Sequence, residues 1–137
     1  MKKLILLVGL AVMLVGCSGN GGNEETVQAP EPIIYITGDE FVELLDVVGS
    51  VIYFGDENCP ICYRTRPNVY EAAQNLEMSV FHYDLYEGDF SNNDFIMAFL
   101  ELGITGTPTV VIVHEDDITL LVGYHSVADF EMHFEQR

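Results

Sequence analysis

The stretch Val51-Ile52-Tyr53-Phe54-Gly55-Asp56-Glu57-Asn58-Cys59-Pro60-Ile61-Cys62 decides the fold of this 137-residue chain. Its first four residues are apolar without a break, the pattern of a strand buried on both faces in the middle of a sheet. A short polar turn follows. Pro60 then suits the first turn of a helix, where the N–H it lacks would have no intrahelical partner. Cys59 would stand at the N-terminus of that helix, where the macrodipole and unpaired backbone N–H groups stabilise a thiolate. It is the expected nucleophile. Cys62 would lie one turn further in, less exposed and placed to attack a mixed disulfide at Cys59 and release the product. The pair reads as a redox-active Cys59–Cys62 disulfide, with no other cofactor and no metal.

Working outward, strand and helix signals alternate. Upstream, Ile33 to Ile36 is a short β-prone run, and Thr37 with Glu40 forms a capping box opening a helix. Phe41, Leu44, Leu45 and Val48 recur at helical spacing, and Gly49 closes the segment. Downstream of the cysteines a helix should run to about Asn75 with Val69, Ala72, Ala73 and Leu76 on one side. Val80 to Leu85 reads as a strand and Gly88 to Asn93 as a polar turn. The next helix carries Phe95, Phe99 and Leu102 on one face, with Ile96 and Leu100 beside them. Thr109 to Val113 is a strand, Glu115 to Asp117 a turn, and Thr119 to Val122 its hairpin partner. Ser126 caps a last helix that turns Val127, Phe130 and Phe134 inward. The order β-α-β-α-β-α-β-β-α predicts one α/β domain with a central mixed sheet and helices on both faces.

Three further features add to the CxxC. Pro67 lies five residues after Cys62, Thr107-Pro108 precedes an apolar strand, and Gly123 precedes the final helix. Together they resemble the thioredoxin superfamily over about Ile33 to Arg137. The resemblance implies a thioredoxin fold and a thiol–disulfide oxidoreductase. It further implies a cis bond at Thr107-Pro108 facing the dithiol, with the Thr107 backbone pairing with bound peptide. In detail the run from Tyr53 to Cys62 looks most like thioredoxin-like proteins found beside bacteriocin operons in Gram-positive bacteria. Two positions depart from the family pattern. Tyr53 stands where the family has a buried acid six residues before the first cysteine, so the proton relay to the resolving thiol is missing or moved. Asn58 replaces the tryptophan that precedes that cysteine.

The N-terminus reads as an address. Lys2 and Lys3 precede Leu4 to Val15, an apolar run of signal-peptide length, shorter than the roughly 20 residues a bilayer span takes. Leu14-Val15-Gly16-Cys17 resembles the lipobox of bacterial lipoproteins. That implies a signal peptide over residues 1–16, lipid on Cys17, and an extracytoplasmic domain anchored to the cell membrane. Three cysteines are an odd number for an exported chain. Lipidation of Cys17 leaves one pair and no stray thiol. Residues 17–32, from the lipidated cysteine through the Gly-, Asn-, Glu- and Pro-rich stretch to Pro32, read as a linker reaching roughly 50 Å when extended. Residues 33–137 are the folded domain.

Charge narrows the partners. The formal net charge is -17, and the basic residues are Lys2, Lys3, Arg64, Arg66 and Arg137. No basic patch exists to neutralise phosphates, which excludes nucleic acid. The partners implied are cysteine-containing exported proteins or peptides, plus a membrane redox partner that keeps the dithiol in its working state. Around the dithiol, Arg64 and Arg66 favour a Cys59 thiolate while Asp56 and Glu57 oppose it. Other readings stay open. The cysteines could form a structural disulfide, or half of a zinc site, although His82, His114, His125 and His133 show no paired spacing near them. Those histidines read as strand-face or surface residues, and Tyr63, Tyr70 and Tyr83 as packing. The domain could also be a redox-inert binding or accessory module, or an acidic surface lipoprotein with a structural role.

Overall fold

The computed structural model describes residues 32–137 apart from Asp89. The expected signal peptide, Cys17 and the linker up to residue 31 lie outside the described residues. The elements follow the expected order: β1 (Ile33–Tyr35), α1 (Gly38–Leu44), β2 (Val51–Gly55), α2 (Pro60–Asn75), β3 (Val80–Asp84), α3 (Asn93–Glu101), β4 (Thr109–Val113), β5 (Ile118–Val122) and α4 (Val127–Phe134). They form one mixed sheet of order β1-β3-β2-β4-β5. β2 is central, parallel to β3 and antiparallel to β4, and every one of its residues is buried.

Strand alternation divides the core into two layers. Val51 and Tyr53 of β2, with Val110 and Ile112 of β4, face Val69, Ala72 and Ala73 of α2 and Phe130 and Phe134 of α4. Ile52 and Phe54 face the other way, toward Phe41 of α1 and Phe95 of α3. Helices therefore cover both faces. Local chemistry starts them: the Thr37–Glu40 capping box opens α1, and Ser126 forms a second capping box with Asp129 at α4. Both carboxyls are held below their usual range, chiefly by the hydrogen bonds from Thr37 and from Ser126. Asn92 caps α3 by accepting from the Asp94 and Phe95 N–H groups.

Two expectations need correction. α1 ends at Leu44, a turn short of Val48, which is exposed. The chain must turn there to enter the sheet: Gly49 N–H donates to the Val113 carbonyl at 2.8 Å, joining the segment to the end of β4. In α3, Leu100 is exposed although Phe95 is buried and Phe99 packs against the core. A helix of nine residues buries only one stripe, and the aromatic side chains take it.

Candidate active site

The site forms where β2 leaves the sheet. The Asp56 carboxylate accepts from the Asn58 N–H at 2.6 Å, and the Asp56 carbonyl accepts from the Cys59 N–H at 3.1 Å. This tight turn delivers Cys59 to the N-cap of α2, with Pro60 at the first helical position. Cys59 and Cys62 are joined as a disulfide, their Cα atoms 5.2 Å apart. Cys59 is half-buried, whereas Cys62 is fully buried. The Cys62 N–H donates to Cys59 Sγ at 3.1 Å. An N–H aimed at this sulfur, at the positive end of a sixteen-residue helix, favours negative charge on it. Pro67 lies inside α2, one turn beyond Cys62.

Thr107 and Pro108, far away in sequence, reach the same place. The peptide bond between them is cis, and the Thr107 carbonyl oxygen lies 3.6 Å from Cys59 Sγ. Gly123 adopts a positive φ of 85°, which lets its N–H donate to the Pro108 carbonyl at 2.9 Å and tie this loop to the end of β5. The four residues singled out from sequence for the folded domain, Cys59, Cys62, Thr107 and Pro108, thus come together on one edge. Arg64 and Arg66 of α2 lie over aromatic rings, Arg64 5.1 Å from the centroid of Tyr124 and Arg66 5.8 Å from that of Tyr63. Among the described residues, no three His, Cys, Asp or Glu side chains group in a way that could hold a metal ion.

Beneath the dithiol lies a set of buried polar rings. Tyr53 is fully buried and its hydroxyl donates, at the long distance of 3.5 Å, to the Cys62 carbonyl. His82, its partner in the parallel ladder between β2 and β3, is buried beside it with ring centroids 4.9 Å apart. The Tyr70 hydroxyl of α2 hydrogen-bonds His82 Nδ1 at 2.7 Å. Gly55 is required here, because a Cβ on it would stand 2.7 Å from Tyr53 Cε1 and 3.1 Å from His82 Nε2. Burial pushes the Tyr53 hydroxyl up to about 12, against the lowering effect of Arg66, and pushes the Tyr70 hydroxyl above the usual phenol range. Burial pushes the His82 imidazole down to about 4, against the Asp84 carboxylate and with the help of the Arg66 guanidinium.

From the sequence, His82 reads as a strand-face or surface histidine and Tyr70 as a packing residue. The structure makes them one buried pair. A signal existed in the alternation Val80, His82, Asp84, which sets His82 on the same face as the core residue Val80, but nothing in the sequence reveals its pairing with Tyr53 or Tyr70.

The His82 shift gives a pH prediction. Between about pH 6.5 and pH 4 the imidazole is protonated in the unfolded chain but not in the folded one, so the unfolded state binds more protons and stability falls as pH falls. Above pH 6.5 the contribution is flat. The loss should be on the order of 2 kcal/mol. His82→Gln should lose less than the parent over this interval in urea unfolding at the two ends; equal losses would refute the buried neutral imidazole.

A sulfur at a helix N-terminus, a buried partner sulfur three residues on and a cis-proline loop against them define a dithiol protein of the thioredoxin fold. The chain belongs to the thioredoxin-like domain family, whose sequence profile matches residues 48–137. It is similar to the crystal structure of thioredoxin from Aeropyrum pernix, with a TM-score of 0.60 and 26% identity, covering 76% of this chain and 86% of that one. A variant thioredoxin from Halobacterium salinarum shares the fold at 19% identity, with a TM-score of 0.62 over 79% of this chain and 92% of that one. Thioredoxin f from spinach chloroplast shares it at 17% identity, with a TM-score of 0.56 over 77% and 92%.

Proposed function

We propose that this domain is a thiol–disulfide oxidoreductase that exchanges disulfides with cysteine-containing exported proteins or peptides, and that lipid on Cys17 holds it at the outer face of the cell membrane. The observation that carries the reading is the asymmetry of the dithiol: Cys59 is accessible and receives a backbone N–H, while Cys62 is buried behind it. In the reducing direction, the Cys59 thiolate attacks a substrate disulfide and expels one substrate thiolate. Cys62 then attacks Cys59 Sγ, forming the Cys59–Cys62 bond and releasing the second substrate thiolate. The Thr107 backbone, whose carbonyl lies beside Cys59, would pair with the extended substrate.

A membrane redox partner would return the dithiol to its working state. The likeness to bacteriocin-associated thioredoxin-like proteins extends the proposal to an accessory role for exported peptides. The second reading, a redox-inert accessory module, draws its support from Tyr53, which places an almost unionisable phenol where an acid would serve the dithiol. Titration of the purified domain against a glutathione buffer separates the two, because an exchanging dithiol equilibrates with it and an inert one does not.

The tether has its own test. Cys17→Ser should move the protein from the membrane fraction to the soluble one, since the several acyl chains on the cysteine each contribute about 0.8 kcal/mol per buried methylene. Retention in membranes, together with an intact mass that shows no acyl adduct on the parent, would overturn lipidation.

A further inference from the structure

Charge in the folded domain is nearly all negative. Its cations are Arg64, Arg66 and Arg137, and the lysines, Lys2 and Lys3, lie outside it. Arg137 donates to the Phe134 carbonyl, and Arg66 acts inward on the buried Tyr53 hydroxyl and on His82. Arg64 differs. It is exposed, its guanidinium stands 5.1 Å from the centroid of the exposed Tyr124 ring, and among the described residues no carboxylate forms an ion pair with it. In a domain so rich in Asp and Glu, a guanidinium with no carboxylate of its own is open to one from a partner.

Two sets of contacts put this pair next to the dithiol. Tyr124 follows Gly123, whose N–H donates to the Pro108 carbonyl at 2.9 Å, and the Thr107 carbonyl one residue earlier stands 3.6 Å from Cys59 Sγ. Tyr124 is thus a single residue, about 3.8 Å between Cα atoms, from the anchor of the cis-proline loop. From the other side, Arg64 lies two residues beyond Cys62 on α2. One turn further on, the Asn68 side chain donates to the His125 carbonyl at 2.8 Å and ties the segment that carries Tyr124 to the same helix.

Building on the exchange reading above, we propose that Arg64, held over Tyr124 at the end of the cis-proline loop, binds an Asp or Glu side chain close to the cysteine of the exported peptide, which makes segments with a carboxylate beside the cysteine the preferred substrates. A guanidinium already resting on an aromatic face loses little freedom on binding, and its planar fork of N–H donors matches the two oxygens of a carboxylate. The rest of the domain limits the reach of this attraction. Its negative field disfavours acidic peptides at a distance, and physiological salt screens exposed charges beyond about 8 Å. A carboxylate gains only where it meets Arg64. In the turn before Cys59, Glu57 is exposed and Asp56 half-buried, so a carboxylate led to that end is repelled. Selection therefore acts on the place of one carboxylate relative to the cysteine and not on total acidity.

The test uses peptides that are neutral apart from one residue, Asp, Asn or Lys, placed two positions from a single cysteine on either side of it. For exchange, that cysteine carries a small uncharged thiol as a mixed disulfide and meets the reduced domain. For binding, Ser replaces the cysteine and amide shifts of the oxidised domain are followed by NMR. Every peptide meets the same Cys59, so the ratio between the Asp and Lys peptides cancels any change in the thiol itself. In the parent this ratio should be roughly fivefold or more at low salt on one side of the cysteine, and should shrink in about 0.5 M salt. An Asp moved about ten residues away, roughly 30 Å along an extended chain, should lose the advantage. Arg64→Gln should bring the ratio to one or below, and Arg64→Glu should invert it. Tyr124→Leu, which removes the supporting ring and keeps the charge, should lower the ratio without inverting it. A parent with no preference for Asp overturns the proposal, and so does an Arg64→Glu variant that weakens the Asp and Lys peptides equally, which would make Arg64 a brace for the loop. Peptides that all exchange at one rate keep the oxidoreductase reading and remove the recognition; an Asp preference in binding, with no exchange of any peptide, does the reverse.

Discussion

Cys59→Ser is expected to bring disulfide exchange down to the uncatalysed rate, while Cys62→Ala should turn the protein into a trap that accumulates mixed disulfides. The asymmetry follows from position. Cys59 caps α2 with part of its surface exposed, beside the cis-proline loop, and an N–H points at its sulfur. An incoming disulfide can meet it. Cys62, three residues on and buried, cannot reach a partner's disulfide but sits within bonding distance of Cys59. Without Cys62 the first exchange still occurs and the second has no internal thiol, so the mixed disulfide persists. The check is non-reducing electrophoresis and mass spectrometry of each variant after exposure to a disulfide-containing peptide. Equal trapping by Cys59→Ser and Cys62→Ala would remove the assignment of roles.

The largest effect on stability is expected at Phe54. Its ring meets Phe41, Tyr83 and Phe99 with centroids 5.0, 5.6 and 5.7 Å away, making it the junction between β2, α1, β3 and α3. Phe54→Ala removes that ring from a fully buried site and leaves a cavity that rigid aromatic neighbours cannot refill. The cost should be about 3–5 kcal/mol, much of the 5–15 kcal/mol that holds a typical domain together. The melting temperature should fall by roughly 15–25 °C. Phe54→Leu, which keeps most of the volume, should cost about half as much or less. Calorimetry of the two variants reads both values; a loss below about 1 kcal/mol for Phe54→Ala would show that the aromatic layer does not act as the core of this face.

Much of this architecture was legible in the sequence because it rests on near neighbours in the chain. The unbroken apolar run from Val51 to Phe54 belongs to a central strand, and the residues after it put Cys59 on a helix start whatever surrounds them. The Thr37–Glu40 and Ser126 caps act over three residues. Where periodicity alone was the guide, as at Val48 and Leu100, it assigned burial to side chains that the sheet and the aromatic layer leave outside.

By itself, then, the sequence determined the order of strands and helices, the covering of both sheet faces by helices and the placing of the dithiol at a strand–helix junction, since each depends on alternation or capping within a few residues. Only the tertiary structure decided that the Thr107 carbonyl stands against Cys59, that Tyr53 lies in register with His82, and that Tyr70 holds that imidazole from α2. Those contacts depend on which strands pair, in what register, and how a helix docks across them. Register is fixed by the summed burial of whole faces and the closure of long loops, so no local run of residues encodes it.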